Sequence, residues 1–282
     1  MNFANRMQII QKIMKADKLL TAYCVQTNMP LVDCSSETFN DRAFAFENEE
    51  LLKVFARQYQ ERKLAIKGII FPAKEKTRFF ATLLSINVDE LIYIDKTGPY
   101  IIKLSDFIKK QDMSKIPEAA RPVENPGLQL SGIYFMQEAA RPVPAEQKEN
   151  LKELEEELAA NMVKSMYLMP VEISPAPSAG NDPETDPDGR PRPVQIKIPL
   201  IRDLNGDTYQ PLFTDNIELS RFLKQQKPKV IKVPFALLEK NLAKEAKGYM
   251  INPNGFHIKL PRELLKGLRI RFDVPDVPDM KK

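Results

Sequence analysis

Apolar and polar positions change period several times along the C-terminal half of the chain, and each change marks an element. Val194-Gln195-Ile196-Lys197-Ile198 alternates with period two, as a half-buried strand does. Asn205-Gly206 is a hairpin turn leading into a strand over 208–213. The period then becomes helical, with Leu219, Phe222 and Leu223 on one side. Asp215 and, three positions later, Glu218 form the capping-box pattern that opens this helix. Residues 229–233 read as a short strand, and Pro234 opens a helix with Leu237, Leu238 and Leu242. A strand, a tight turn and a second strand close the series over 248–260. Upstream, a helix starting at Pro144 puts Leu151, Leu154, Leu158 and Met162 on one face, and a strand comes next at 166–171.

The N-terminal third shows the same succession. The pattern predicts a helix near 5–17, strands near 20–26, 29–34 and 41–46, a helix over 48–61 and a strand over 64–70. A helix over 73–87 and a hairpin over 91–104 complete it. Side-chain chemistry agrees with the order. Phe46 ends a strand and Phe55 comes nine positions later on a helix; Phe213 and Phe222 repeat that spacing. Leu91-Ile92-Tyr93-Ile94-Asp95-Lys96-Thr97-Gly98 parallels Gly248-Tyr249-Met250-Ile251-Asn252-Pro253-Asn254-Gly255 as strand and Asp/Asn-Gly turn. One module used twice accounts for this.

Two segments interrupt the pattern. Residues 113–143 hold Pro117, Pro122, Pro126 and Pro142 and the hexapeptide Glu-Ala-Ala-Arg-Pro-Val at 118–123 and again at 138–143. Proline at that density disfavours regular helix and marks a connector, partly packed through Ile133-Tyr134-Phe135-Met136. Residues 174–193, rich in Pro, Asp, Gly and Ser, read as a mobile loop. The expected organisation is a first domain at 1–112, a connector at 113–143, a second domain at 144–267 and a tail at 268–282. Each domain is α+β, a mainly antiparallel sheet covered by helices.

Pro211-Leu212-Phe213-Thr214, the helix holding Phe222, and Gly248-Tyr249-Met250-Ile251-Asn252-Pro253 resemble the SseB (enhanced serine sensitivity protein) N-terminal domain. The likeness extends over about 165–265, including Pro170-Val171. The first copy departs from it, with Glu47-Asn48 in place of Thr214-Asp215 and Ile94-Asp95-Lys96 in place of Ile251-Asn252-Pro253. The resemblance implies two tandem SseB-like domains, the first divergent, and a bacterial cytoplasmic family without an established catalytic mechanism.

Composition narrows the chemistry. The chain has 282 residues with one His, two Cys, ten Gly and no Trp. A lone imidazole cannot build a poly-His metal site, and neither GxGxxG nor GxxxxGK[ST] occurs. Cys24 and Cys34, expected in neighbouring strands, read as reduced packing thiols. The N-terminal stretch lacks the apolar run of a signal peptide, and no segment has the roughly 20 apolar residues of a membrane span, so a cytoplasmic protein is expected.

Individual candidates give no catalytic, cofactor or metal residue. His257 shares a strand face with Lys259, the solvent side. Glu184, Asp186 and Asp188 faintly suggest a calcium loop, but Gln195 stands where the closing Glu belongs. Thirteen Lys and Arg against three acids between Arg221 and Arg271 form a basic stretch within a net charge of +4. The leading expectation is a non-catalytic protein–protein interaction or regulatory module with an unidentified protein partner. A small-molecule-binding or enzymatic protein of serine or sulfur amino-acid metabolism is the second reading, suggested by the family label alone. Nucleic-acid binding through 221–271 is the third.

Overall fold

The structure, a computed structural model, describes residues 3–175, 194–223 and 228–275. Contacts divide the chain into two compact units, Met1–Met162 with Asn254–His257, and Val163–Pro253 with Ile258–Lys282. The elements of the first are α1 (Phe3–Lys15), β1 (Lys18–Cys24), β2 (Met29–Pro30), β3 (Asp33–Cys34), β4 (Asp41–Phe46), α2 (Glu49–Glu61) and β5 (Ile66–Pro72). They continue with α3 (Lys76–Ser85), β6 (Glu90–Asp95), β7 (Gly98–Lys103), α4 (Pro126–Ala139) and α5 (Leu151–Lys164), whose last two residues fall in the second unit.

The sheet of the first unit runs β2-β1-β4-β6-β7, with β5 also on β1 and β3 on β4. Its neighbours are antiparallel except β4 and β6, which are parallel, with Phe46 beside Ile94. The sheet is therefore mainly antiparallel, as expected, with one parallel pair. Parallel neighbours need a long crossover, and the chain makes it through α2, β5 and α3. Asn48 starts α2 by accepting the Leu51 N–H at 3.1 Å, with Glu49 and Glu50 in the first turn favouring that end of the helix. One face of α2 then meets the sheet. The Phe55 ring lies 4.7 Å from Phe44, 5.1 Å from Phe46 and 4.9 Å from Tyr59, over a core of Leu20, Ala22, Leu31 and Leu52. Burying each such large apolar side chain is worth about 1.5–3 kcal/mol.

The second unit contains β8 (Met166–Pro175), β9 (Val194–Lys197), β10 (Ile201–Arg202), β11 (Thr208–Leu212), α6 (Asn216–Leu223) and β12 (Lys229–Pro234). After these come α7 (Leu238–Asn241), β13 (Gly248–Ile251), β14 (Ile258–Pro261) and α8 (Arg262–Arg271). One sheet runs β10-β11-β13-β14 and another β12-β8-β9. A two-bond bridge between Leu168 and Phe213, at 2.9 and 3.0 Å, joins β8 to β11. Here β11 and β13 are the parallel pair.

Registers in the two units correspond. Lys18 faces Pro72 across β1 and β5, and Met166 faces Pro234 across β8 and β12; each proline leads into a 3-10 turn. Leu20 faces Phe46, and Leu168 faces Phe213. The Phe213 and Phe222 rings stand 5.2 Å apart, beside 5.1 Å for Phe46 and Phe55.

Several expectations need correction. The proline-rich 113–143 segment contains a regular helix, α4, because Pro126 sits in its first turn and no other proline occurs before Pro142. Ile133 is buried and Gln137 exchanges two hydrogen bonds with Val32, so this segment is packed structure. The helix expected from Pro144 begins at Leu151, after a 3-10 turn at Ala145–Gln147. Contacts group most of α5 with the first unit, and Asn161 bonds Ser131 of α4 at 3.2 Å. Leu265 and Leu268 bury one face of α8, so residues 268–271 complete a helix rather than begin a tail. The 95–98 turn is tight, with Asp95 facing Gly98, but β13 and β14 are joined by the six residues between Ile251 and Ile258. Cys24 and Cys34 are not on paired strands; β1 and β3 each pair with β4. The 174–193 loop lies outside the described residues beyond its first two positions, which end β8, and the acidic 184–188 run lies wholly outside them.

Candidate functional site

Carboxyl ends of adjacent parallel strands are where open sheets present loop side chains, and both units place their polar residues there. In the second unit Asn252 comes directly after β13 with φ 49°, a left-handed conformation that asparagine tolerates. Its Oδ1 accepts the Thr214 backbone N–H at 3.0 Å and its Nδ2 donates to the Thr214 hydroxyl at 2.8 Å. Both residues are wholly buried. Next to them Asp215 Oδ1 caps α6, accepting from the N–H of Ile217 at 2.7 Å and of Glu218 at 2.9 Å. The residues that carry the family resemblance thus form a closed clasp between a strand end and a helix start.

Glu218 departs from the capping-box expectation. Its side chain turns from the cap, with Oε1 3.0 Å from the Arg221 guanidinium and a buried Oε2 that has no hydrogen-bond partner among the described residues. Burial pushes its carboxyl up to about 7, against the pull of Arg221 and with some help from Asp215. Such a group has the proton affinity of a general base at neutral pH, but it is 2% exposed and so shielded from a substrate.

The matching corner of the first unit is ionic. Lys12 of α1 reaches Glu47 at 2.7 Å and Asp95 at 2.9 Å, and its ammonium lies 5.5 Å from the Tyr93 ring centre. Hydrogen bonds to Glu47 and then Asp95 raise the Lys12 pKa. Burial works against charge on Asp95, but bonds from Thr97 and Lys12 outweigh it and hold the carboxyl below its usual range. A three-way charge cluster occupies the position of the Thr214–Asn252 clasp, and each satisfies its own members.

A second polar concentration has no counterpart in the sequence pattern. A cleft of about 280 Å³ in the first unit is lined by Cys34, Tyr59, Arg62, Tyr134 and Arg141, among others. Tyr134 donates to Asp41 at 2.5 Å, and Asp33 accepts from Arg42 at 3.0 Å and Tyr59 at 3.3 Å. Burial, then Asp41 and Asp33, raise the Cys34 thiol pKa, the opposite of what a nucleophilic cysteine needs. The larger cleft, about 500 Å³, is an open groove flanked by Asp89, Glu90, Lys103 and Lys109. Among the described residues no group of three or more His, Cys, Asp or Glu side chains is placed to hold a metal ion.

His257 is exposed, as expected, but it precedes β14 rather than lying on a strand face, with a left-handed φ of 42° and Nδ1 3.1 Å from the Gly255 carbonyl oxygen. Within the basic 221–271 stretch, Lys247 pairs with Asp207 at 2.6 Å, Lys259 with Asp203 at 2.5 Å and Arg269 with Glu239 at 2.7 Å. Arg262 bonds the carbonyls of Ala243 and Ala246. No helix among the described residues is long and apolar enough to cross a membrane.

Residues 142–266 match the family model of the SseB protein N-terminal domain. The matched span holds the whole Thr214–Asn252 clasp and the Phe213–Phe222 pair, and it lies C-terminal to the Cys34 cleft's strands. No curated protein and no solved structure matches the chain.

Proposed function

We propose that this chain is a tandem SseB-type protein whose first unit is a divergent copy of the second, and that it acts as a non-catalytic protein–protein interaction or regulatory module. The duplication is supported by the shared strand order, the Leu20–Phe46 and Leu168–Phe213 registers, and the equal spacing of the two Phe pairs. The reading includes residence in the cytoplasm, where free thiols such as Cys24 and Cys34 stay reduced.

The interaction role is carried by one observation. Strand β5 lies at a sheet margin, bonded among the described residues to β1 alone, and leaves Gly68 and Ile70 exposed. An open strand edge is a ready template for another chain. Crosslinking and affinity capture from source cells, with the intact protein and with Ile70→Lys, test the role. A specific protein lost on substitution is the expected result. Turnover of metabolites by the purified protein, with no protein captured, would overturn it.

A further inference from the structure

We infer that β5 is a self-pairing edge, through which two copies of this chain align their β5 strands antiparallel and extend the sheets of their first units into one. This rests on the proposed interaction role and names its partner as a second copy.

The direction of the backbone groups decides which are open. Ala65 O accepts the Val25 N–H at 2.9 Å, Ile69 O accepts the Thr21 hydroxyl at 3.1 Å, and Ala73 N donates to Asp17 at 2.8 Å. Odd-numbered residues of this segment therefore face β1. Successive residues of a strand point their N–H and C=O to opposite sides, so Ile66, Gly68 and Ile70 present theirs outward. Among the described residues no backbone or side-chain group meets them. Pro72 ends the open row with a carbonyl and no N–H, and the Leu64 N–H at the other end is already bonded to Tyr59.

The usual guard of an exposed edge is a lysine standing over it. The single lysine of β5, Lys67, is drawn back along its own sheet, with Nζ 2.6 Å from Asn28 Oδ1. Ile70, at 47% exposure, is left as the outermost apolar side chain. A charge-free, apolar, short row of donors and acceptors invites a strand of the same length and character.

A second β5 is such a strand. Antiparallel pairing about Gly68 sets Ile66 against the partner's Ile70 and Lys67 against the partner's Ile69. Pairing about Ile69 sets Gly68 against the partner's Ile70 and Lys67 against the partner's Phe71. Both registers use every outward N–H of both strands, and neither sets two lysines directly opposite, which would be destabilising.

Sedimentation velocity of the full chain over a range of micromolar concentrations, with hydrogen exchange on the same samples, tests the inference. The intact protein is expected to dimerise, and slow exchange at Ile66, Gly68 and Ile70 should appear as dimer forms. Ile70→Lys and Ile70→Pro should each weaken dimerisation at least tenfold. Should the proline variant fail to fold, Ile70→Lys, with an unchanged melting curve, carries the comparison. A chain that stays monomeric, a dimer indifferent to Ile70→Lys, or a dimer whose three amides still exchange freely would overturn the inference. A monomer that loses a captured protein on Ile70→Lys overturns self-pairing and leaves the interaction reading standing. A dimer that captures nothing else supports self-pairing and leaves the second copy as the partner of the interaction reading.

Discussion

Asn252 grips Thr214 at two points, accepting its backbone N–H at 3.0 Å and donating to its hydroxyl at 2.8 Å, with both side chains inaccessible to water. Nothing outside the protein can replace these bonds once one partner is removed. Leaving a buried polar group unsatisfied costs about 1–3 kcal/mol.

Two substitutions at Asn252 separate its conformation from its bonds. Asn252→Gly keeps the left-handed backbone at no steric cost and loses the amide, so about 2–3 kcal/mol of stability should go. Asn252→Ala loses the amide and forces a Cβ-bearing residue without a local hydrogen bond into φ 49°, adding about 1 kcal/mol. Urea unfolding of both variants measures the difference, and equal losses would show that backbone strain contributes nothing. Thr214→Val with Asn252→Gly in a double-mutant cycle should give a coupling of about 1 kcal/mol or more.

Lys76 supports a prediction of a different kind in the first unit. Its ammonium is buried and donates to the carbonyl oxygens of Ile13 at 2.6 Å, Met14 at 3.2 Å and Ala16, capping the last turn of α1. Burial lowers its pKa, with Asp17 opposing. Lys76→Met keeps the packing and strips all of these donors, so a loss of about 2–4 kcal/mol is expected. The measurement is chemical denaturation at pH 7, and a variant as stable as the parent would show that water caps α1 equally well.

The Cys34 thiol should react slowly for an exposed cysteine. Burial raises its pKa and Asp41 adds to the effect, so little thiolate is present at pH 7. Asp41→Asn should speed reaction with a disulfide reagent about two- to fivefold at pH 7. Cys24, fully buried, should react only on unfolding. A Cys34 rate above that of free cysteine, or one unmoved by Asp41→Asn, would contradict the electrostatic account.

How far the sequence disclosed this molecule depends on how local each signal was. Period and turn residues located α2, β6, β7, β11 and β13 within about two residues, because each is decided by its own side chains. Pro126 misled because a residue excluded from helix interiors is favoured in a first turn, and only the composition of the next dozen positions separates the two cases. The parallel pairing of β4 with β6 was hidden, since strand direction is settled by a crossover spanning some forty positions and not by alternation. The Cys34 cleft was hidden for the same reason: Tyr134, which lines it, bonds Asp41, 93 positions away in the chain. Asp215 and Glu218 mark a helix start but do not form a reciprocal cap. The spacing permits both bonds, but the nearby Arg221 guanidinium takes one carboxylate oxygen instead.

That displaced carboxylate makes stability depend on pH. Glu218 titrates near 4.5 when unfolded and is pushed up to about 7 when folded, first by burial, with Arg221 opposing and Asp215 assisting. Between those values the native protein holds a proton that the unfolded chain has lost. Raising the pH therefore favours unfolding, so this contribution is present in full below 4.5, declines up to about 7 and is gone above it. The whole decline is about 3 kcal/mol. Asp41, also raised by burial, slopes in the same direction, so the comparison must be made against a variant. Glu218→Gln keeps the shape and cannot ionise. Its stability should equal that of the parent near pH 4.5 and exceed it by about 1–3 kcal/mol at pH 7.5, the lower end allowing for the lost Arg221 pair. Urea unfolding at half-unit pH steps measures both curves. If they run parallel from pH 4.5 to 7.5, Glu218 is ionised throughout, and a water or a cation must already satisfy its Oε2.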